Sequence, residues 1–160
     1  MLTMLNPLIK MVLTGCRNME WLPILTARLS LGLFFAVSGY NKLFIAAKHE
    51  DLIQLMTKIG VPFPDLMALF LGCVEFFGGL LLIAGLLTTF CAIALTIAMI
   101  VAIVTVEIDL IIPKGLGFFD WMSWFLYLPQ VMYVILFVWL MTTGPGRFSL
   151  DYHLAKRFSS

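Results

Sequence analysis

Five ionisable residues stand within or at the ends of apolar runs: Arg28, Lys42, Glu75, Glu107 and Asp109. Glu75 is the most demanding. It lies inside 65–87, a stretch that is otherwise apolar after Asp65 and long enough, at ~1.5 Å per residue, to cross a bilayer core of ~30 Å. An ionised carboxylate at that depth costs at least ~2.5 kcal/mol. It must therefore face protein or a water-filled cavity, take a cationic partner, or hold a proton. A group so placed can clip helices together, form the polar floor under a ligand, or carry a proton. Phe35, Tyr40, Phe76 and Phe77 lie close by in sequence and could wall a planar ring, although a single Phe in such a chain ordinarily packs against core or lipid.

The spacing of these residues indicates how they are held. Ala68, Gly72, Glu75 and Gly79 recur in steps of three and four, so the carboxylate shares a helix face with small residues that let a neighbour approach. Arg28, Gly32, Phe35, Gly39 and Lys42 follow the same rule, placing both cations on one face with two glycines. With 62% hydrophobic and 12% charged residues, the chain lacks the polar surface of a soluble domain. The fold class is all-α: one integral membrane domain over 1–160, a bundle of four transmembrane helices at about 21–47, 65–87, 90–112 and 121–141. A short amphipathic helix at 48–58 lies between spans 1 and 2, its Leu52, Ile53, Leu55 and Met56 leaning into the headgroups. Residues 1–20 read as an interfacial segment and 144–160 as a tail. Thr88 and Thr89 leave room only for a tight hairpin, and Pro129 bends the last span, where Gln130 can mend the broken ladder or face the bundle.

The three cysteines form no CxxC, and His49 and His153 fall on opposite sides of the membrane. No haem, metal or nucleotide site is legible. A net charge of +1 with no basic patch argues against nucleic acid. Lysines and arginines divide almost evenly between the two faces, with five beside the termini and four opposite, and on that margin the termini are placed in the cytoplasm.

Depth selects the partners. Arg28 lies seven residues, ~10 Å, inside Trp21, and Glu75 twelve residues, ~18 Å, inside Leu87 on the same side. A guanidinium favours a desolvated carboxylate, so Arg28 with Glu75 is the expected buried pair. Lys42 is expected in a second cluster with Glu107 and Asp109 at the other face.

Arg28-Leu-Ser-Leu-Gly32, then Gly39-Tyr-Asn-Lys42-Leu43, Glu75-Phe-Phe-Gly78-Gly79-Leu80, Gly85-Leu-Leu-Thr88 and Gly144-Pro-Gly146-Arg147-Phe-Ser149-Leu150-Asp151 together resemble the DoxX family of small four-helix membrane proteins. The likeness runs from about Trp21 to Asp151. It implies that Arg28, Lys42, Glu75 and Asp151, with Ser149, hold the family's characteristic polar positions, in a multi-pass protein of the cell inner membrane. It also implies redox chemistry. Some members are described as subunits of a thiosulfate:quinone oxidoreductase, others as membrane partners of a superoxide dismutase and a sulfurtransferase in thiol-stress protection. A quinone would then be the cofactor, its carbonyls meeting Arg28 or Lys42 while Glu75 manages the proton. The alternatives are a non-enzymatic anchor for soluble redox enzymes on the cytoplasmic side and, more remotely, a small transporter. Besides the lipid bilayer, further copies of the chain are open as partners.

Overall fold

A computed structural model describes residues 21–158, so the expected interfacial segment at 1–20 lies outside the described residues. Among them the fold is helical throughout, with no strand. Three helices are long and apolar enough to cross a membrane: α1 (Trp21–Phe44), α3 (Pro64–Ala84) and α4 (Thr88–Leu110). Between the first two runs α2 (Ala46–Lys58). A fourth apolar segment is split into α5 (Phe118–Tyr127) and α6 (Pro129–Thr143), inclined at 67° to one another. The tail forms α7 (Leu150–Phe158).

Each boundary has a local cause. Pro64 starts α3, where a missing N–H is harmless, and Gly85 ends it in the left-handed conformation that a Cβ disfavours. Pro129 likewise starts α6 and cannot continue α5, so the expected bend is a break. Within α4 the backbone passes through a π-helical turn at Ile103–Glu107, which the sequence pattern did not announce.

The helices close into a ring in which α1 packs on α3, α3 on α4, α4 on α6 and α6 back on α1. The core holds Leu31, Phe35, Leu82, Leu95, Phe137 and Leu140, all nearly inaccessible. A second cluster, Ile103, Ile112, Leu128 and Val131, sits where the π turn faces the α5–α6 break. The α1–α3 seam is the closest contact. A Cβ on Gly39 would lie 2.6 Å from Phe76 Cα and 2.8 Å from the Gly72 carbonyl oxygen, and one on Gly79 would lie 2.6 Å from the Gly32 oxygen and 2.9 Å from Ala36 Cα. At these two positions backbone meets backbone, so nothing flexible can yield, whereas a Cβ on Gly72 would meet the Leu43 side chain at 2.8 Å. The small-residue faces read from spacing are the ones buried: Arg28, Gly32, Phe35 and Gly39 on α1, and Ala68, Gly72, Glu75 and Gly79 on α3.

This seam generates a stability prediction. Gly39→Ala and Gly79→Ala should each destabilise the protein by about 1–3 kcal/mol, because the helices must separate. Gly78→Ala, whose added Cβ would meet only the Leu95 side chain at 3.5 Å, should be nearly neutral. Unfolding in mixed detergent micelles checks the contrast, and equal losses at all three positions would contradict it.

Candidate functional site

Glu75 is answered by Lys42, not by Arg28. The Lys42 ammonium donates to both Glu75 carboxylate oxygens, while the expected Arg28–Glu75 pair is absent among the described residues. Every Cα–Cβ bond in an α-helix tilts toward that helix's N-terminus. Because α1 and α3 are antiparallel, Arg28 tilts toward the tail face and Glu75 toward the opposite one, so the two diverge. Lys42, near the C-terminal end of α1, tilts inward and meets Glu75 as it tilts outward. Depth counted along the axis from Cα atoms alone missed this offset of direction.

The pair is asymmetric in exposure. The Glu75 side chain is 1% exposed and that of Lys42 24%, so the ammonium lies between the carboxylate and the outside of the bundle. His49 on α2 holds the same end of α1 in place. Its Nδ1 lies 2.8 Å from the Lys42 carbonyl oxygen, which can only accept, so Nδ1 carries the proton. This bond satisfies one of the carbonyls left open where α1 ends.

The second expected cluster does not form around Lys42. Glu107, at the end of the π turn, accepts a hydrogen bond from Gln130 Nε2 at 2.5 Å, in the first turn of α6. Asp109 is exposed. The aromatic candidates also separate. Phe35 is buried against Phe34, Tyr133 and Phe137 and belongs to the core. Tyr40, Phe76 and Phe77 form a continuous surface chain with Phe44, a residue the sequence reading passed over: Tyr40–Phe44, Phe44–Phe76 and Phe76–Phe77 ring centroids are 5.0, 5.8 and 5.3 Å apart. Tyr40, Phe44 and Phe77 are exposed, as rings facing lipid are. Phe44 stands four residues beyond Tyr40, a helical spacing that could have found it.

At the tail face, Arg28 does different work. Its Nη1 donates to the Pro145 carbonyl oxygen at 2.6 Å and its Nη2 to that of Phe148 at 2.5 Å, so the planar fork bridges two points of the loop entering the tail. Asp151 completes the arrangement. Its two carboxylate oxygens accept from the Leu87 and Thr88 N–H groups, each at 2.8 Å, and its own N–H donates to the Gly85 carbonyl at 2.9 Å. The N-terminus of α4 is thus capped by a residue 64 positions away from Leu87. Leu87 is held at φ 51°, a conformation a branched side chain adopts only when its surroundings impose it. Ser149 Oγ donates to the Gly146 carbonyl and accepts from the Tyr152 N–H, tightening the turn before α7. Ser149 and Asp151 therefore act in the tail clasp, at the opposite end of the bundle from Lys42.

The DoxX family model matches residues 24–108. The chain is similar to the uncharacterized membrane protein Rv3486 of Mycobacterium tuberculosis, at 31% identity over 162 residues that cover 92% of this chain and 96% of the relative. No solved structure matches the chain significantly.

Two predictions follow from the geometry of the two ends. Lys42→Met strands a buried carboxylate without its partner and should cost about 3–5 kcal/mol. Glu75→Gln should cost less, because the lysine can extend to the interface. The double variant Lys42→Met, Glu75→Leu should recover most of the loss, and additive losses in a double-mutant cycle would argue against a direct pair. Arg28→Lys keeps the charge and loses the fork, so limited proteolysis should cut 144–158 faster while the helices stay intact.

Proposed function

This chain belongs to the DoxX family of membrane proteins, and from that premise we propose that it is the membrane subunit of a redox complex, presenting Lys42 and Glu75 to a quinone-type headgroup. The observation that carries the reading is the exposure of the pair. A buried carboxylate holds an ammonium whose side chain remains a quarter accessible, so the cation stays within reach of a molecule outside the bundle. An ammonium in that position can donate to a ring carbonyl oxygen. Glu75 holds the ammonium in place through both carboxylate oxygens. A quinone held there would accept electrons from a soluble partner, and Lys42 Nζ, donating to its carbonyl oxygen, would stabilise the negative charge that oxygen gains. Arg28 takes no part, since its guanidinium is committed to the tail.

In this reading the whole chain is one domain with four spans and both termini in the cytoplasm of a cell whose inner membrane holds it. Helix α6 rises about 22 Å, and α5, ~15 Å long and inclined at 67°, adds about 6 Å, which together approach the ~30 Å a bilayer core demands. The loop cations support the orientation: Arg147, Lys156 and Arg157 stand on the tail face, with Lys10 and Arg17 preceding α1, while Lys42 is held within the bundle by Glu75 and leaves Lys48, Lys58 and Lys114 opposite. The anchor reading, in which the chain recruits soluble redox enzymes, draws on a different observation: Arg28, Ser149 and Asp151 all serve to order the tail.

Native mass spectrometry of the protein taken from its own membrane in mild detergent tests the choice. The expected result is a retained quinone that falls by at least ~10-fold in Lys42→Met and Glu75→Gln but persists in Asp109→Asn. Only phospholipid on the wild-type protein, or undiminished quinone on folded Lys42→Met, would overturn the proposal. A stoichiometric soluble enzyme without quinone would favour the anchor.

A further inference from the structure

Among the described residues, the tail helix α7 has an apolar side on which no other helix packs closely. Leu150, Leu154 and Phe158 recur at intervals of four and are 48%, 44% and 87% exposed, so one stripe of the helix is apolar and open. None of its residues is buried. Its start is nevertheless fixed, because Asp151 is bonded to the backbone of Gly85, Leu87 and Thr88, where α3 ends and α4 begins. That hairpin joins two apolar spans, so α7 departs from the level of the membrane surface. Trp21 and Phe148 stack edge to face at 5.0 Å beside it, an aromatic pair of the kind that sits among headgroups.

Charge identifies what the stripe meets. Around α7 the segment carries three basic residues, Arg147, Lys156 and Arg157, against one acid, Asp151, and so a net positive charge. The segment therefore presents positive charge beside an apolar stripe. We propose that α7 is a membrane-surface lipid site: it lies in the plane of its own leaflet with Leu150, Leu154 and Phe158 inserted, and takes anionic phospholipid headgroups through its basic residues. An amphipathic helix buries its apolar face to about 5–10 Å, which fits a segment of nine residues already tethered at that level. The Asp151 clasp and the Arg28 fork deliver the helix to the interface and set where it begins. The site is separate from the Lys42–Glu75 pair and does not rest on a quinone.

A spin label on Phe158→Cys, in a chain with Cys16→Ser, Cys73→Ala and Cys91→Ala, tests the proposal in the full protein reconstituted into vesicles. Collisions with oxygen, which concentrates in lipid, should exceed collisions with a water-soluble nickel chelate, and the excess should rise severalfold when phosphatidylglycerol is added to phosphatidylcholine. Salt should weaken that rise. Leu154→Glu should return the label to water, and Arg147→Gln, which leaves the stripe intact, should reduce the response to phosphatidylglycerol. A label exposed to water in both vesicle types would overturn the proposal, as would equal insertion in both. Protection of the label only by a co-purifying soluble protein would assign the stripe to a protein partner instead.

Discussion

A carboxylate in the middle of an apolar span sets the terms for the rest of this molecule. Glu75 can remain charged only if a cation reaches it, and a cation can reach it only if another helix comes close enough to exclude lipid. Glycines supply the closeness. Gly32 and Gly39 on α1 face Gly79 and Gly72 on α3 at distances no side chain could share, and this antiparallel seam brings Lys42 within bonding reach of Glu75. The glycines and the ion pair are thus one device. Dispersion along the seam holds the helices where the lysine is useful, and the lysine removes the penalty that would otherwise drive Glu75 out of the bundle.

The tail face solves a different problem by similar means. A tight hairpin between α3 and α4 leaves backbone N–H groups open at the start of α4 and forces Leu87 into a left-handed conformation. Asp151 satisfies those groups from a segment that returns only after the last long helix. The Arg28 fork then satisfies carbonyls of the loop that brings Asp151 there. Arg28 and Asp151 serve each other through backbone rather than by direct contact. Two ionisable residues are consumed in closing the ring of helices at this end, which leaves the accessible cation within the bundle to Lys42.

Much of this was legible in the sequence. The helical class, the small-residue faces, the short helix between the first two long apolar helices and the tight hairpin all follow from periodicity and from the few residues that separate one apolar run from the next. The partners were harder because they depend on direction as well as depth. Axial counting placed the Arg28 and Glu75 Cα atoms within reach of each other, but their side chains leave in opposite directions along antiparallel axes. The same reasoning, applied to Lys42, points it toward Glu75. The role of Asp151 was visible only as a motif. A residue that caps a helix 64 positions earlier in the chain gives no local signal, and its use depends on where α6 ends.

The π turn shows why the far end of α4 resisted reading. Ala92, Leu95, Thr96, Met99 and Ile103 follow a 3.6-residue repeat along the buried face, and the repeat next falls at 106–107, within the π turn, where Val106 and Glu107 are only half-buried. Beyond the turn Leu110 and Ile111 are 46% and 49% exposed, and Ile112, past the end of the helix, is buried. Glu107, the last residue of the turn, accepts from Gln130, which stands just past the break imposed by Pro129. Two backbone irregularities on neighbouring helices are therefore joined by one side-chain hydrogen bond. The carboxylate is tolerable near the end of an apolar helix because the Gln130 amide donates to it, while Gln130 Oε1 is left buried without a partner.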